Sequence, residues 1–148
     1  MTIAVDFDGT IVEHRYPDIG PEIPFAIDTL KLLYEEGHKL ILWTVREGLL
    51  LDEAVSFCKE RGLKFYAVNS NYPEENGSHA EYSRKLKADL FIDDRNLGGL
   101  PGWGYIYRMI HDNKSWEDII NEYSPYTTGI QATKNDATHF LKKLLRIK

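Results

Sequence analysis

The feature that most constrains this chain is an alternation of two kinds of pattern. Short, nearly continuous apolar runs (Ile3 to Phe7, Lys39 to Trp43, Phe65 to Val68 and Ala88 to Ile92) are separated by segments whose apolar residues recur at helical spacing. Runs that apolar leave no strand face for water, so they predict a parallel sheet covered on both sides rather than a half-exposed antiparallel one. The intervening pattern predicts one helix through Phe25, Ile27, Leu30 and Leu33, closed by Gly37, and another over Gly48 to Arg61, closed by Gly62. Tyr105 to Ile110 reads as a fifth strand and Trp116 to Tyr123 as a helix. The expected fold is α/β: a doubly wound, mainly parallel sheet with helices on both faces.

In sheets of this kind ligands bind beyond the carboxyl ends of the strands. The polar residues of this chain gather there. Asp6 and Asp8 follow the first apolar run, Thr44 the second, and Asp93 and Asp94 the fourth. Four carboxylates at one sheet edge repel one another unless protons or a cation offset the charge. A hard divalent cation such as magnesium takes oxygen ligands and commonly binds through one or two carboxylates together with a substrate phosphate. Asp6, Asp8, Asp93 and Asp94 are therefore the candidate metal residues and Mg2+ the expected cofactor.

Phosphoryl transfer needs a nucleophile, neutralisation of charge on the transferred oxygens and a proton source for the leaving group. Asp6 is the candidate nucleophile and Asp8 the candidate acid and base. Gly9 lets the backbone turn sharply so that its amides can face phosphate oxygens. Thr44 offers a hydroxyl, and Arg46 a guanidinium suited to a phosphate clamp.

These residues resemble the haloacid dehalogenase superfamily, specifically its phosphatases. The resemblance rests on DFDGT at Asp6 to Thr10, the strand-terminal Thr44 in WTVRE, and IDD at Ile92 to Asp94, and covers roughly residues 1 to 110. It implies that Asp6 is the nucleophile, Asp8 the acid and base whose carbonyl also ligates magnesium, Thr44 a phosphate ligand, and Asp93 a magnesium ligand supported by Asp94. An aspartate as the second carboxylate looks like the phosphatase pattern rather than the dehalogenase one. For the family's lysine between the second and fourth motifs, Lys85 is the first match and Lys87 the second, with Arg46 the alternative source of that charge. Neither Ile11 to Leu40 nor Val45 to Ala88 has room for an inserted cap domain, so the chain resembles a capless member with an open site.

At 148 residues the chain is most simply one domain. Residues 1–123 carry the α/β pattern. Residues 124–148 form a tail whose basic, helix-like run, Phe140 to Lys148, belongs either to the same domain or to an interface. A net charge of -5 argues against a protein whose main task is to hold nucleic-acid backbone. The start MTIAVDFD carries neither a basic region nor a long apolar run, and the single Cys58 cannot form an intramolecular disulfide, so the cytoplasm is the expected compartment.

The function expected is a magnesium-dependent phosphomonoester hydrolase with an aspartyl-phosphate intermediate. The alternatives are a non-catalytic phosphate- or metal-binding module on the same fold and a phosphotransferase to an acceptor other than water. The expected partner is a phosphorylated small molecule, with a nucleic-acid end as a further class, no membrane, and a neighbouring copy as one way to cover the open site. A receiver domain is disfavoured because its phosphorylated aspartate ends the third strand, where this chain has Val68 and Asn69. No glycine-rich nucleotide motif follows a strand. Trp43 and Cys58 read as core residues, and His14, His79 and His111 lack the spacing of a transition-metal site.

Overall fold

A computed structural model describes residues 1–75 and 85–123. They form strands β1 (Thr2–Val5), β2 (Lys39–Leu42), β3 (Ala67–Val68) and β4 (Leu90–Ile92), and helices α1 (Ala26–Glu35), α2 (Gly48–Glu60), α3 (Trp103–His111) and α4 (Trp116–Tyr123). The strands make one sheet in the order β3-β2-β1-β4, and every pairing is parallel. Hydrogen bonds carry each pairing one residue past the strands: Asp6 N–H donates to Ile92 O, Trp43 N–H to Val5 O and Asn69 N–H to Leu42 O. The chain exits after β1, β2 and β3 are thereby held level. Residues placed directly after them share one edge.

The register separates two faces. Ile3, Val5, Leu40, Leu42 and Ile92 point to one side and pack with Leu30 and Leu33 of α1, Ala54 and Cys58 of α2, and Trp103 and Ile106 of α3. Ala4, Ile41 and Ala67 point to the other, where Leu86 is buried on them and Trp43, Tyr66, Ala88 and Phe91 border it. Helices were expected on both faces. Among the described residues α1, α2 and α3 all contribute to the first face, while the second is covered by the segment around Leu86.

Both α1 and α2 stop where a glycine follows. At Gly37, φ is 88°, and the amides of Gly37 and His38 return to the carbonyls of Tyr34 and Leu33, which closes the last turn of α1. Cys58 is fully buried, and burial pushes its thiol up to about 12, so it behaves as the small core residue expected.

The fifth strand expected at Tyr105 to Ile110 is instead part of α3. Its aromatic and β-branched composition suits a strand, but Trp103, Ile106, Tyr107 and Ile110 fall on one helical face, and all four pack on the core. Tertiary burial decides the local conformation here. The helix at Trp116 to Tyr123 is present as α4, with Ile119 buried. Residues 76–84, and the whole tail 124–148 with its Phe140 to Lys148 run, lie outside the described residues. Between β1 and β3 the chain holds only α1, β2, α2 and their loops, with no inserted unit among the described residues. Among these residues no helix is long and apolar enough to cross a membrane.

Trp103 ties this core to the strand ends. It is 2% exposed, and its indole N–H donates to the carbonyl of Thr10 at 3.1 Å. Trp103→Phe leaves that carbonyl without its donor and part of the indole's space unfilled, and is expected to lower unfolding stability by about 1–3 kcal/mol or more in urea titrations.

Candidate active site at the carboxyl edge of the sheet

Beyond Val5 the chain leaves the sheet through a tight turn. The carbonyl of Phe7 accepts from the amides of Ile11 and Val12 at 2.9 and 3.1 Å, and Gly9 sits at φ 94°. Two constraints meet at Gly9. A side chain there would be strained at that φ, and a Cβ would lie 2.4 Å from Asp94 Oδ2. The absence of a side chain is what allows Asp94 to close onto the turn.

Asp6, Asp93 and Asp94 each present a carboxylate oxygen, and these atoms lie within 4.8 Å of one another. Thr10 links two of them: its hydroxyl donates to Asp6 Oδ2 at 3.3 Å and accepts from the amide of Asp94 at 3.0 Å. Burial first, and then the charges of Asp93 and Asp94, push the Asp6 carboxyl from the usual 3.8 up to about 7, against hydrogen bonds from Phe7 and Thr10 that lower it. Asp94 Oδ1 is buried with no hydrogen-bond partner. An all-oxygen, acidic donor set with one unsatisfied buried oxygen fits a hard divalent cation.

Asp8 stands apart from this group. It is 6% exposed, and both its oxygens accept from Arg46, Oδ2 from Nε and Oδ1 from Nη2, each at 2.7 Å. The remaining guanidinium contacts go to the carbonyls of Pro17, from Nη1 at 2.9 Å, and Asp18, from Nη2 at 2.8 Å. Arg46 is completely buried. Arg46, the alternative phosphate clamp, thus has its guanidinium engaged by Asp8 and two carbonyls, and it is not among the residues that line the cavity beside Asp6.

Thr44 lies at the end of β2, as expected, and half-buried. Its amide donates to Asn69 Oδ1 at 2.8 Å, and its hydroxyl accepts from the amide of Arg46 at 3.2 Å. Thr44 lines a cavity of about 350 Å³ with Asp6, Asp8 and Asp93, bordered by His14, Tyr16, Trp43, Val45 and Arg95. Trp43 is thus a cavity wall as well as the core residue expected. Lys85 and Lys87 are both exposed beside buried Leu86, and neither is among the residues lining this cavity. A larger cavity of about 600 Å³ runs beside β4 and α3 and shares Asp93, but its lining is mainly apolar. The titratable chemistry lies in the smaller one.

Thr10, Asn69, Arg95 and Trp103 also shape the site. Thr10 had a visible signal, its place in DFDGT. Asn69, at φ 49° just past β3, shows its role only when the neighbouring strand brings Thr44 alongside.

No protein-family model matches the chain, and no curated protein does. A solved structure of a conserved protein from Bacteroides thetaiotaomicron is 68% identical, with a TM-score of 0.76 over 84% of this chain and 98% of that one.

Two outcomes follow from the electrostatics. Arg46→Met leaves the Asp8 carboxylate buried and unpaired, and is expected to cost about 3–5 kcal/mol in denaturant unfolding. Because the raised Asp6 carboxyl makes the folded state hold a proton more tightly than the unfolded one, cation-free stability from this group is greatest at low pH and is lost as pH rises from about 4 through 7. A cation held by Asp6 would displace that proton. The rise in Tm on adding magnesium, relative to chelator, should therefore be larger at pH 8 than at pH 5.5, and an equal rise at both would remove Asp6 from the ligand set.

Proposed function

This chain belongs to the same family as the conserved Bacteroides thetaiotaomicron protein, and we propose that it is a magnesium-dependent phosphomonoester hydrolase of the haloacid dehalogenase type, without a cap domain. The observation that carries the reading is the meeting of Asp6, Asp93 and Asp94 within 4.8 Å, in a cavity that also holds Asp8 and Thr44. In this reading the parallel sheet is the core of the doubly wound fold of that superfamily. Phosphate binding alone does not account for the site, since cations and amides bind phosphate better than carboxylates do.

Asp6, Asp93 and the Asp8 carbonyl would hold magnesium, with Asp94 supporting the ion or its waters. When bound, the ion supplies positive charge that keeps Asp6 ionised near neutral pH and offsets the charge of the phosphoryl oxygens. An Asp6 carboxylate oxygen attacks phosphorus as the bond from phosphorus to the alcohol oxygen breaks, and the alcohol leaves with a proton. Water then attacks the aspartyl-phosphate, which restores Asp6 and releases inorganic phosphate. Thr44 binds the phosphoryl group by its hydroxyl. Asp8 gives the alcohol its proton in the first step and takes one from water in the second.

Arg46 holds both oxygens of the Asp8 carboxylate and so orients it at the strand end. The same pairing supports a second reading, a non-catalytic phosphate- or metal-binding module, and an open site also leaves transfer to an acceptor other than water within reach.

Turnover decides among them. Purified protein should release phosphate from an aryl phosphate with magnesium and stop with chelator, and Asp6→Asn should lower the rate by at least about a thousandfold while leaving the far-ultraviolet circular dichroism unchanged. Substantial turnover by Asp6→Asn would exclude it as the nucleophile.

A further inference from the structure

The wall of the cavity carries a second kind of information. Beyond the carboxylates and Thr44, the 350 Å³ space is bordered by His14, Tyr16, Trp43, Val45 and Arg95. Three of these five carry flat rings and one is aliphatic, so the wall combines ring and apolar surface with a few hydrogen-bonding atoms. A sugar or other polyol loses water from many hydroxyls on binding and needs a partner for each. A flat aromatic group does not, and stacks on rings.

The rings are held in place. Tyr16 is 49% exposed, yet its ring lies over the Arg46 guanidinium, 5.4 Å from carbon to ring centroid, and the next two carbonyls of its loop accept from the same guanidinium. Trp43 is fixed by its amide bond to Val5 O and by an edge contact with Phe91, ring centroids 5.0 Å apart. Val45 is 74% exposed and supplies an apolar flank. Arg95 is anchored through its amide to Asp93 Oδ1 at 2.8 Å, which sets a cation beside the acidic cluster. A preformed cavity of a few hundred Å³ with apolar walls and a few polar groups is the usual form of a small-molecule site.

We propose that the site takes phosphate monoesters whose alcohol carries a flat aromatic ring, packed against Tyr16 or Trp43, in preference to phosphates of sugars and polyols. This inference rests on the phosphatase reading for its chemistry, but the ring preference belongs to the wall and can be measured separately. Through Arg46, the wall that meets the leaving group is tied to Asp8, the residue assigned to protonate it.

The test uses pairs of substrates matched at the scissile bond. Cytidine 5′-monophosphate and ribose 5-phosphate release the same primary hydroxyl and differ by the ring; benzyl phosphate and glycerol 3-phosphate form a second pair of primary alcohols. The full chain with magnesium is expected to favour the ring-bearing member in kcat/KM by about tenfold in at least one pair, and Tyr16→Ala to reduce that preference severalfold, the ring-bearing member losing more than the aliphatic one. Equal efficiency in both pairs, or preference for the aliphatic members, overturns the ring inference and leaves the phosphatase reading standing. Release from none of the four counts against the phosphatase reading, and calorimetric titration of the same compounds then decides the wall: ring-selective binding that Tyr16→Ala weakens sustains the inference, and binding without ring selectivity, or none, overturns it.

Discussion

The constraint behind the whole arrangement is the crowding of negative charge that a parallel sheet imposes at its carboxyl edge. Parallel strands finish on the same side, so whatever follows Val5, Leu42 and Ile92 must share that edge. Here the chain sends Asp6, Asp8, Asp93 and Asp94 to it. Three of the carboxylates are accommodated differently: Asp6 by a shift toward the protonated form, Asp8 by a buried arginine, and Asp93 by the amide of Arg95. The unsatisfied Asp94 Oδ1 is the part of this compensation that the protein itself does not complete.

Local sequence and distant packing contribute separately to the site. Gly9, Thr10 and the carbonyl of Phe7 make a turn encoded within a few residues. Its rigidity comes from far away in the chain, through Trp103 on the Thr10 carbonyl and Asp94 closing on Gly9. The helices matter to the chemistry in the same indirect way. α3 brings Trp103 under the turn, and α1 and α2 bury the sheet face that keeps β1 and β2 in register.

Much of this was legible in the sequence, for a physical reason. Strand runs buried on both faces have no polar alternation to obscure them, so β1, β2 and β4 stand out, and the strand-end carboxylates stand out against them. What could not be read depended on contacts between distant positions. Arg46 and Asp8 are 38 residues apart, and nothing in WTVRE distinguishes a guanidinium turned to a ligand from one turned to the loop after Tyr16. The six residues from Tyr105 to Ile110 are too short a window to separate a strand from a helix until Trp103 is counted with them. How helices divide between the faces is likewise a property of the crossovers rather than of any segment's own pattern.

The Arg46 contacts bear on how the sequence can change over time. One guanidinium supports a carboxylate at the strand end, two carbonyls of a surface loop and the ring of Tyr16. A descendant that gave up Asp8 while keeping Arg46 would enclose an uncompensated positive charge, and one that gave up Arg46 first would release the loop and strand the carboxylate. Neither single step is neutral. Drift away from this constellation must pass through a less stable chain or change both positions together, so the pair resists erosion by mutation whether or not selection acts on turnover.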